Sequence, residues 1–385
     1  MKYIVACLLI WCCQVTSGMT PVEDTNAVRD VLDNRALLPV AASYKTYRVS
    51  DTATYELQLA LDQDNRPLYY CRHIFTPVCY TGECKPVYIN LYWDLLGNYI
   101  RYDLPAKEVL TKLDHREFKQ EDYEKLQEIL ARPNSLLADL AITDLIVPGT
   151  ENLTDSVDAH TGATLKTIKN EVISGAVYTC YTLWHMAHGP VTDEIIRITE
   201  TYINPALLHR FLRSGNYAYQ YKALERVMDK SGKITPGFED DIRALINGKN
   251  IFIARHTLQQ VHPGFITGVK AQEWLWNTYS RSSYPLQLTV LHKLATVPLS
   301  DAMAKHLATA GAAANEEQFR LIIAALQATP RLPVAVMQQL AGQLKSADEG
   351  KAAAIHNLLL QRQPVNNTIK TMIYEYEQTL PSTEK

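Results

Sequence analysis

The amino-acid sequence predicts an α+β domain with an antiparallel sheet, followed by an all-α domain. Between residues 43 and 103, Tyr, Thr, Val and Leu alternate with polar residues, which is typical of strands. Beyond Gly189 and Pro190 the strand pattern ends, and apolar residues recur at the three- and four-residue spacing of helices. A chain of 385 residues is also longer than one hydrophobic core usually supports.

The first 18 residues predict a secretory signal peptide. Lys2 is followed by an apolar run over residues 4–13 and by small residues suited to cleavage. The run is too short to span a bilayer, and no later segment is long and apolar enough to do so. We therefore expect a secreted or periplasmic protein without a transmembrane segment, with its domains at 19–190 and 191–385.

Composition and motif content exclude several function classes. The formal charge is −3 and 47% of the residues are hydrophobic, as in ordinary globular proteins, and no basic run predicts nucleic-acid binding. Neither a hydrolase nucleophile motif, a zinc-protease motif, a Walker loop nor a dinucleotide fingerprint occurs. His185 and His188 have metal-binding spacing but no third ligand, so a helix end is favoured over a metal site. No catalytic or metal-ligating residues are predicted.

The first domain is expected to begin with a helix near 26–37 and to continue with five strands. The strands are predicted at residues 43–50, 54–61, 68–76, 86–94 and 98–103. The last two form a hairpin because Leu95, Leu96 and Gly97 between them make a short turn. Helical segments are then predicted at residues 121–131 and 136–147.

A seven-residue motif, Asp-Ala-His-Thr-Gly-Ala-Thr at residues 158–164, precedes a further predicted helix. Apolar residues on one helical face support this helix, at positions 165, 168, 172, 176, 180 and 183. Thr161 or Thr164 can cap its first turn. The unpaired N–H groups and the dipole of such a turn attract anions, above all phosphate.

The motif resembles the flavinylation motif of FMN-binding domains, as in subunits of sodium-pumping NADH:quinone reductase and of the Rnf complex. In that family an FMN transferase attaches FMN to the last threonine through a phosphoester. The resemblance implies that Thr164 is the acceptor, that Gly162 and Ala163 give access to its hydroxyl, and that Asp158 is the leading acid, with Thr161 in the same loop. The alternative is a capped helix start without flavin, in a plain or vestigial domain.

Other parts of the domain match this family less closely. Trp93, Asp94 and Gly97 resemble a strand, acid and glycine of its sheet, whereas the non-covalent flavin contacts follow no recognisable motif. Lys166 stands where many members carry Ser or Thr; it could pair with a phosphate or face solvent. The tyrosines and tryptophan of the strands could stack on a flavin, but packing within the sheet is favoured.

The cysteines suggest an oxidising compartment. Three of the seven lie within the predicted signal peptide, which leaves Cys71, Cys79, Cys84 and Cys180. Cys79 and Cys84 flank a turn-like Tyr-Thr-Gly-Glu and are the first expected pair. Cys71 and Cys180 would then form a second pair or remain as buried thiols. A zinc site of all four lacks paired Cys-x-x-Cys spacing.

The second domain is predicted to be a series of amphipathic helices. They are expected at residues 192–201, 205–229, 239–246, 253–261, 269–279, 285–296, 298–309, 316–328, 333–345, 349–360 and 366–377. Taken in pairs from about residue 285, they repeat every 32 to 34 residues. This spacing resembles HEAT-like and other α-solenoid arrays. A helical bundle without repeats is the alternative.

Two function classes are compatible with these sequence features. In the first, the protein is a secreted or periplasmic flavoprotein with FMN covalently on Thr164, which transfers electrons rather than acting as a stand-alone enzyme. An FMN transferase would modify it, and the helical domain would dock a redox partner. In the second, it is a non-catalytic interaction or scaffold protein whose FMN-domain-like module carries no flavin.

The sequence generates one direct chemical prediction, a disulfide between Cys79 and Cys84. So short a loop should constrain the local chain more than it stabilises the whole domain. Alkylation of the secreted protein without reductant, followed by peptide mapping, should find both thiols protected. Alkylation of both cysteines under these conditions would contradict the pairing.

Overall fold

A computed structural model gives the fold of the chain. It describes residues 38–50, 54–78, 85–112, 115–145, 168–363 and 366–380. Two compact units are present, the first ending at Tyr202 and the second beginning at Ile203. The helix Val191–Glu200, which follows the boundary expected at residue 190, belongs to the first unit.

The first unit contains an antiparallel sheet of five strands in chain order. The strands are β1 (Ser43–Ser50), β2 (Thr54–Leu61), β3 (Pro67–Thr76), β4 (Val87–Trp93) and β5 (Tyr99–Asp103). All five lie where the alternation predicts them, and β4 and β5 form the predicted hairpin. The register shifts once between β2 and β3 and once between β4 and β5.

The two faces of this sheet differ in polarity. One face carries the largest buried side chains of the unit, which are Leu57, Leu59, Tyr70, Ile89, Leu91, Trp93 and Tyr102. Successive residues of a strand point to opposite faces, so the other face receives Gln58, His73, Asn90 and Asp103. The strands therefore bury an apolar face and present a polar one.

The turn between β4 and β5 is built around Asp94. Its Oδ1 accepts hydrogen bonds from the backbone N–H groups of Leu96 at 2.8 Å and Asn98 at 2.9 Å. Gly97 has φ +80°, and a Cβ there would lie 3.0 Å from the carbonyl oxygen of Thr192. The acid and glycine that resemble the flavin family thus have a structural role in this turn.

The described helices of the first unit follow the sheet in sequence. They are α1 (Gln120–Leu130), α2 (Val177–His188) and α3 (Val191–Glu200), with 3₁₀ turns at Leu136–Asp139 and Ile142–Leu145. Trp93 connects sheet and helices, because its Nε1 donates to the carbonyl oxygen of Ala187 on α2 at 2.7 Å.

The helix predicted directly after the motif is wrong over its described first part. Residues 168–176 form turns, and α2 begins only at Val177. Gly175 has φ +79°, a left-handed conformation that ends any helical path there. The described apolar positions of the predicted face, from residue 168 onwards, are nevertheless buried, including Val172 and Cys180. The periodic pattern identified burial correctly, but not the backbone conformation.

The second unit is helical throughout its described elements. The helices are α4 (Pro205–Arg213), α5 (Tyr217–Val227), α6 (Glu239–Ile246), α7 (Ile251–Gln260), α8 (Val269–Arg281), α9 (Tyr284–Leu294), α10 (Asp301–Gly311), α11 (Glu316–Ala328), α12 (Val334–Gln343), α13 (Glu349–Gln361) and α14 (Asn367–Glu377). The single helix predicted at 205–229 is two helices, because Asn216 caps a new one. None of the described helices is long and apolar enough to cross a bilayer.

These helices form two rows. Helices α5, α7, α9, α11 and α13 pack in succession in one row, and α8, α10, α12 and α14 pack in succession in the other. The first row begins its helices at residues 217, 251, 284, 316 and 349, and the second at 269, 301, 334 and 367. Equivalent helices therefore begin 32 to 34 residues apart, and each packs against the equivalent helix before and after it.

Cationic side chains connect successive helices of the first row. Lys293, near the end of α9, donates from Nζ to the carbonyl oxygens of Gln259, at 3.1 Å, and Val261 after α7. Arg362, after α13, donates from Nη2 to the carbonyl of Leu326 on α11 at 2.9 Å. Burial lowers the pKa of the Lys293 ammonium. Both contacts satisfy carbonyl groups that a helix C-terminus leaves without intrahelical partners.

Gly232 and Gly237 give a matched test of the packing in this unit. Both have positive φ, but a Cβ on Gly232 would lie 1.9 Å from the carbonyl oxygen of Gln260, whereas one on Gly237 would meet nothing within 4 Å. Gly237→Ala should lower the free energy of unfolding by about 1–2 kcal/mol, because alanine is strained in a left-handed backbone conformation. Gly232→Ala should lower it by at least about 2 kcal/mol more, since a backbone atom must also move.

Urea unfolding of the full chain, followed by far-UV circular dichroism, measures both costs. Equal decreases in the unfolding free energy of the two variants would mean that the chain relaxes around Gly232. The close approach to Gln260 would then not contribute to stability.

Candidate functional site

The residues predicted to attach flavin and those predicted to form the disulfide lie outside the described part of the chain. These are Asp158, Thr161, Gly162, Ala163, Thr164, Cys79 and Cys84, together with Lys166. The described residues on either side of the motif segment are Leu145 and Ile168, and both side chains are buried in the core.

The surface beside Ile168 carries positive charge. Glu171 accepts a hydrogen bond from Ser135 Oγ at 3.0 Å and forms an ion pair with Arg132 at 3.5 Å. The Arg132 side chain is 45% exposed, so much of its guanidinium group remains open to solvent. Lys169 is also exposed. Two cations and one carboxylate therefore lie close to Ile168, the first described residue after the motif.

Helix α2 holds this surface in place through four ring side chains. At spacings of three, four and seven residues they occupy one face of the helix. Each forms a hydrogen bond of 2.8 to 3.0 Å with a backbone carbonyl oxygen: Tyr181 with Leu140, Trp184 with Arg132, His185 with Leu137 and His188 with Leu130. We call these residues the ring row. It connects α2 to the end of α1 and to the first 3₁₀ turn.

The two histidines of the ring row act as hydrogen-bond donors. A carbonyl oxygen can only accept, so Nε2 of both His185 and His188 must carry a proton. Burial lowers the pKa of His188, whose ring lies 4.9 Å from the Trp184 ring. These bonds give the His-x-x-His spacing a role in holding the backbone. Among the described residues, no group of three side chains suits a metal ion.

A second polar cluster lies on the polar face of the sheet, and no sequence motif marks it. His73 Nδ1 lies 2.6 Å from Asn90 Oδ1, and Asn90 Nδ2 donates to Asp103 Oδ1 at 2.6 Å. Arg101 Nη2 donates to the other oxygen of Asp103 at 3.0 Å. The period-two pattern places these residues on one face, but only the strand order brings the three strands side by side.

The two described cysteines, Cys71 and Cys180, are buried thiols that are not joined in a disulfide, which decides between the alternatives for this pair. Cys71 lies on the polar face of the sheet, where Sγ donates to Gln58 Oε1 at 3.5 Å. Burial raises its pKa to about 12. Cys180 Sγ accepts a hydrogen bond from the N–H of Ile173 at 3.4 Å. Cys71 is therefore a protonated thiol at neutral pH, unsuited to nucleophilic attack.

The aromatic side chains of the sheet take part in packing. Tyr69 and Tyr92 lie in tilted contact at 6.0 Å between ring centroids, and Tyr70 bonds Thr199 Oγ1 at 3.0 Å. The pKa of Tyr92 is raised, first by burial and then by the carboxylate of Asp103. These contacts agree with the favoured packing role.

Comparison with known proteins identifies no relative. No protein-family model, no curated protein and no solved structure matches this chain. Arguments about function therefore depend on the motif and on the geometry described above.

The ring row predicts a pH dependence of stability. The folded pKa of His188 lies below the ordinary value of 6.5, so in that range the unfolded chain binds more protons than the folded chain. This stabilising contribution is complete above pH 6.5 and is lost as the pH falls towards the folded pKa. His188→Gln keeps an N–H donor without a titrating group.

Between pH of about 7.5 and 5.5, the wild-type chain should lose more unfolding free energy than His188→Gln. Urea unfolding followed by tryptophan fluorescence measures both losses. Parallel decreases in the two proteins would contradict a role for His188 protonation.

Proposed function

We propose that the first domain carries FMN covalently on Thr164 and that the protein is a secreted or periplasmic electron-transfer flavoprotein. The observation that carries this proposal is the motif at residues 158–164, with its acid, its small residues and its terminal threonine. The five-stranded antiparallel sheet of this α+β domain also supports the proposal, because a sheet of this kind is expected for an FMN-binding domain.

Chain length limits where the proposed acceptor can be. Thr164 precedes Ile168 by four residues, and an extended chain spans at most about 3.6 Å per residue. Covalent geometry thus keeps its Cα within about 14 Å of the Ile168 Cα. We assign the proposed site to the surface formed by Arg132, Lys169 and Glu171, because this surface lies beside Ile168.

The residues of this surface suit a phosphoester. A phosphodiester carries negative charge, which the exposed guanidinium of Arg132 and the ammonium of Lys169 would offset. FMN, when attached, supplies the redox chemistry, while the domain binds and orients it. Because α2 begins only at Val177, the proposal assigns neutralisation of this charge to side chains rather than to the N-terminus of α2. Arg132 would be held for this role by Glu171.

For the second domain we propose a HEAT-like, partner-docking role. Its two rows of helices, with equivalent positions 32 to 34 residues apart, resemble solenoids that bind partners along extended surfaces. In the electron-transfer proposal the partner is a redox protein. The same helical array also favours the second candidate, a flavin-free interaction or scaffold protein, because partner docking does not require a flavin.

Substitutions in the motif test flavin attachment. Thr164→Ala should abolish it, Thr164→Ser should retain part of it because the hydroxyl remains, and Thr161→Ala should weaken it less than Thr164→Ala does. Asp158→Asn should impair attachment without unfolding the domain if the acid serves recognition by the transferase. Gly162→Val should block it by crowding the loop.

The measurement is co-expression with an FMN transferase, followed by fluorescence in denaturing gels and by intact mass. Circular dichroism of each variant separates failed modification from failed folding. Wild-type protein that stays colourless and unshifted in mass would overturn the flavoprotein proposal and leave the interaction protein.

A further inference from the structure

A cavity of about 620 Å³ lies between two successive helix pairs of the second unit. Its walls come from helix α8, from the turn between α6 and α7, and from the turn between α8 and α9. The two turns occupy equivalent places in neighbouring repeats. Its polar and aromatic lining includes Asn247, Lys249, Trp274, Asn277 and Arg281. A volume of this size accommodates a ligand of a few residues.

The charge of this cavity is unbalanced. Lys249 and Arg281 line it, both are exposed, and no Asp or Glu is among the lining residues. Neither cation forms an ion pair within the described ranges. The adjoining cavity, of about 300 Å³, shares Lys249, but its Arg213 is neutralised by the buried carboxylate of Asp241 at 2.5 Å. The larger cavity differs because it adds Arg281, a second cation without a carboxylate among the lining residues.

Recognition in this cavity would depend on side chains. Asn250 Oδ1 accepts from the N–H groups of Phe252 at 3.0 Å and Ile253 at 3.3 Å, so the first turn of α7 is already capped. An anion in this cavity would therefore be bound by the side chains of Lys249 and Arg281. The half-buried Trp274 ring provides a flat apolar wall, and Asn277 provides amide groups.

The surroundings favour an extended chain as the ligand. Phe252 is 72% exposed and Tyr284 is 43% exposed, and each adjoins a lining residue in sequence. Neighbouring packed helices lie about 8–10 Å apart, which is the length of about three residues of extended peptide. Carboxylates three residues apart could thus reach Lys249 in one repeat and Arg281 in the next.

We propose that this cavity binds an acidic peptide segment of a partner protein. One carboxylate pairs with Lys249, a second pairs with Arg281, and an apolar part of the segment packs against Trp274. This inference rests on the partner-docking role proposed for the second domain, but not on flavin attachment. Thr164→Ala should accordingly bind the peptide as the wild-type chain does, so failure of one proposal can be recognised separately from failure of the other.

The test is fluorescence anisotropy of labelled hexaglutamate with the full chain at low salt. The peptide should bind, added salt should weaken it, and hexaglutamine should not bind. Lys249→Glu and Arg281→Glu should each reduce affinity about tenfold or more. Trp274→Leu should reduce the affinity for a labelled peptide in which two of the glutamates are replaced by leucine, without changing the charge of the cavity.

Lys270→Glu is the matched control, because it makes the same charge change at an exposed position of α8 outside the cavity. It should change affinity by less than about threefold through long-range charge alone. Equal weakening by Lys270→Glu, or no binding at low salt, would overturn the proposal. Stronger competition by a sulfated polysaccharide than by unlabelled peptide would also overturn it, since the surface would then be a glycan site. Thermal unfolding confirms that each variant is folded.

Discussion

The first unit depends on the hydrogen bonds between the ring row of α2 and the backbone that follows α1. That backbone forms only short 3₁₀ turns, so several of its carbonyl groups need partners from elsewhere. Tyr181, Trp184, His185 and His188 supply them from one helical face. Leu145 and Ile168, the described residues on either side of the motif, are buried in the same unit.

The sheet has one apolar face that packs on the helices and one face that carries a network of polar side chains. Its apolar face joins the helices through Trp93 and Ala187, while its polar face links His73, Asn90 and Asp103 in a continuous chain. Burial keeps the Cys71 thiol protonated within that polar face. In the flavoprotein proposal, the described sheet would serve as the scaffold, and the cationic surface beside Ile168 would offset the negative charge of the phosphoester.

The second unit follows a different principle, in which one interface is repeated. Each helix packs against its equivalent in the next pair, and cations such as Lys293 and Arg362 satisfy helix ends across that interface. Repetition also places equivalent turns side by side. Where a carboxylate is present, as at Asp241, the charges balance; between Lys249 and Arg281 they do not. Local departures from the repeat therefore produce a surface with binding properties.

The sequence by itself determined the strands, most helices and the buried positions, since these depend on neighbouring residues and on the periods of strand and helix. The tertiary structure decided the backbone conformation at particular residues and which distant residues lie side by side, and the periods do not specify either. Gly175 prevents the buried positions Val172 and Cys180 from sharing one helix, and strand order brings His73 to Asp103 through Asn90. Such features require contacts between residues far apart in the chain, which no local pattern encodes.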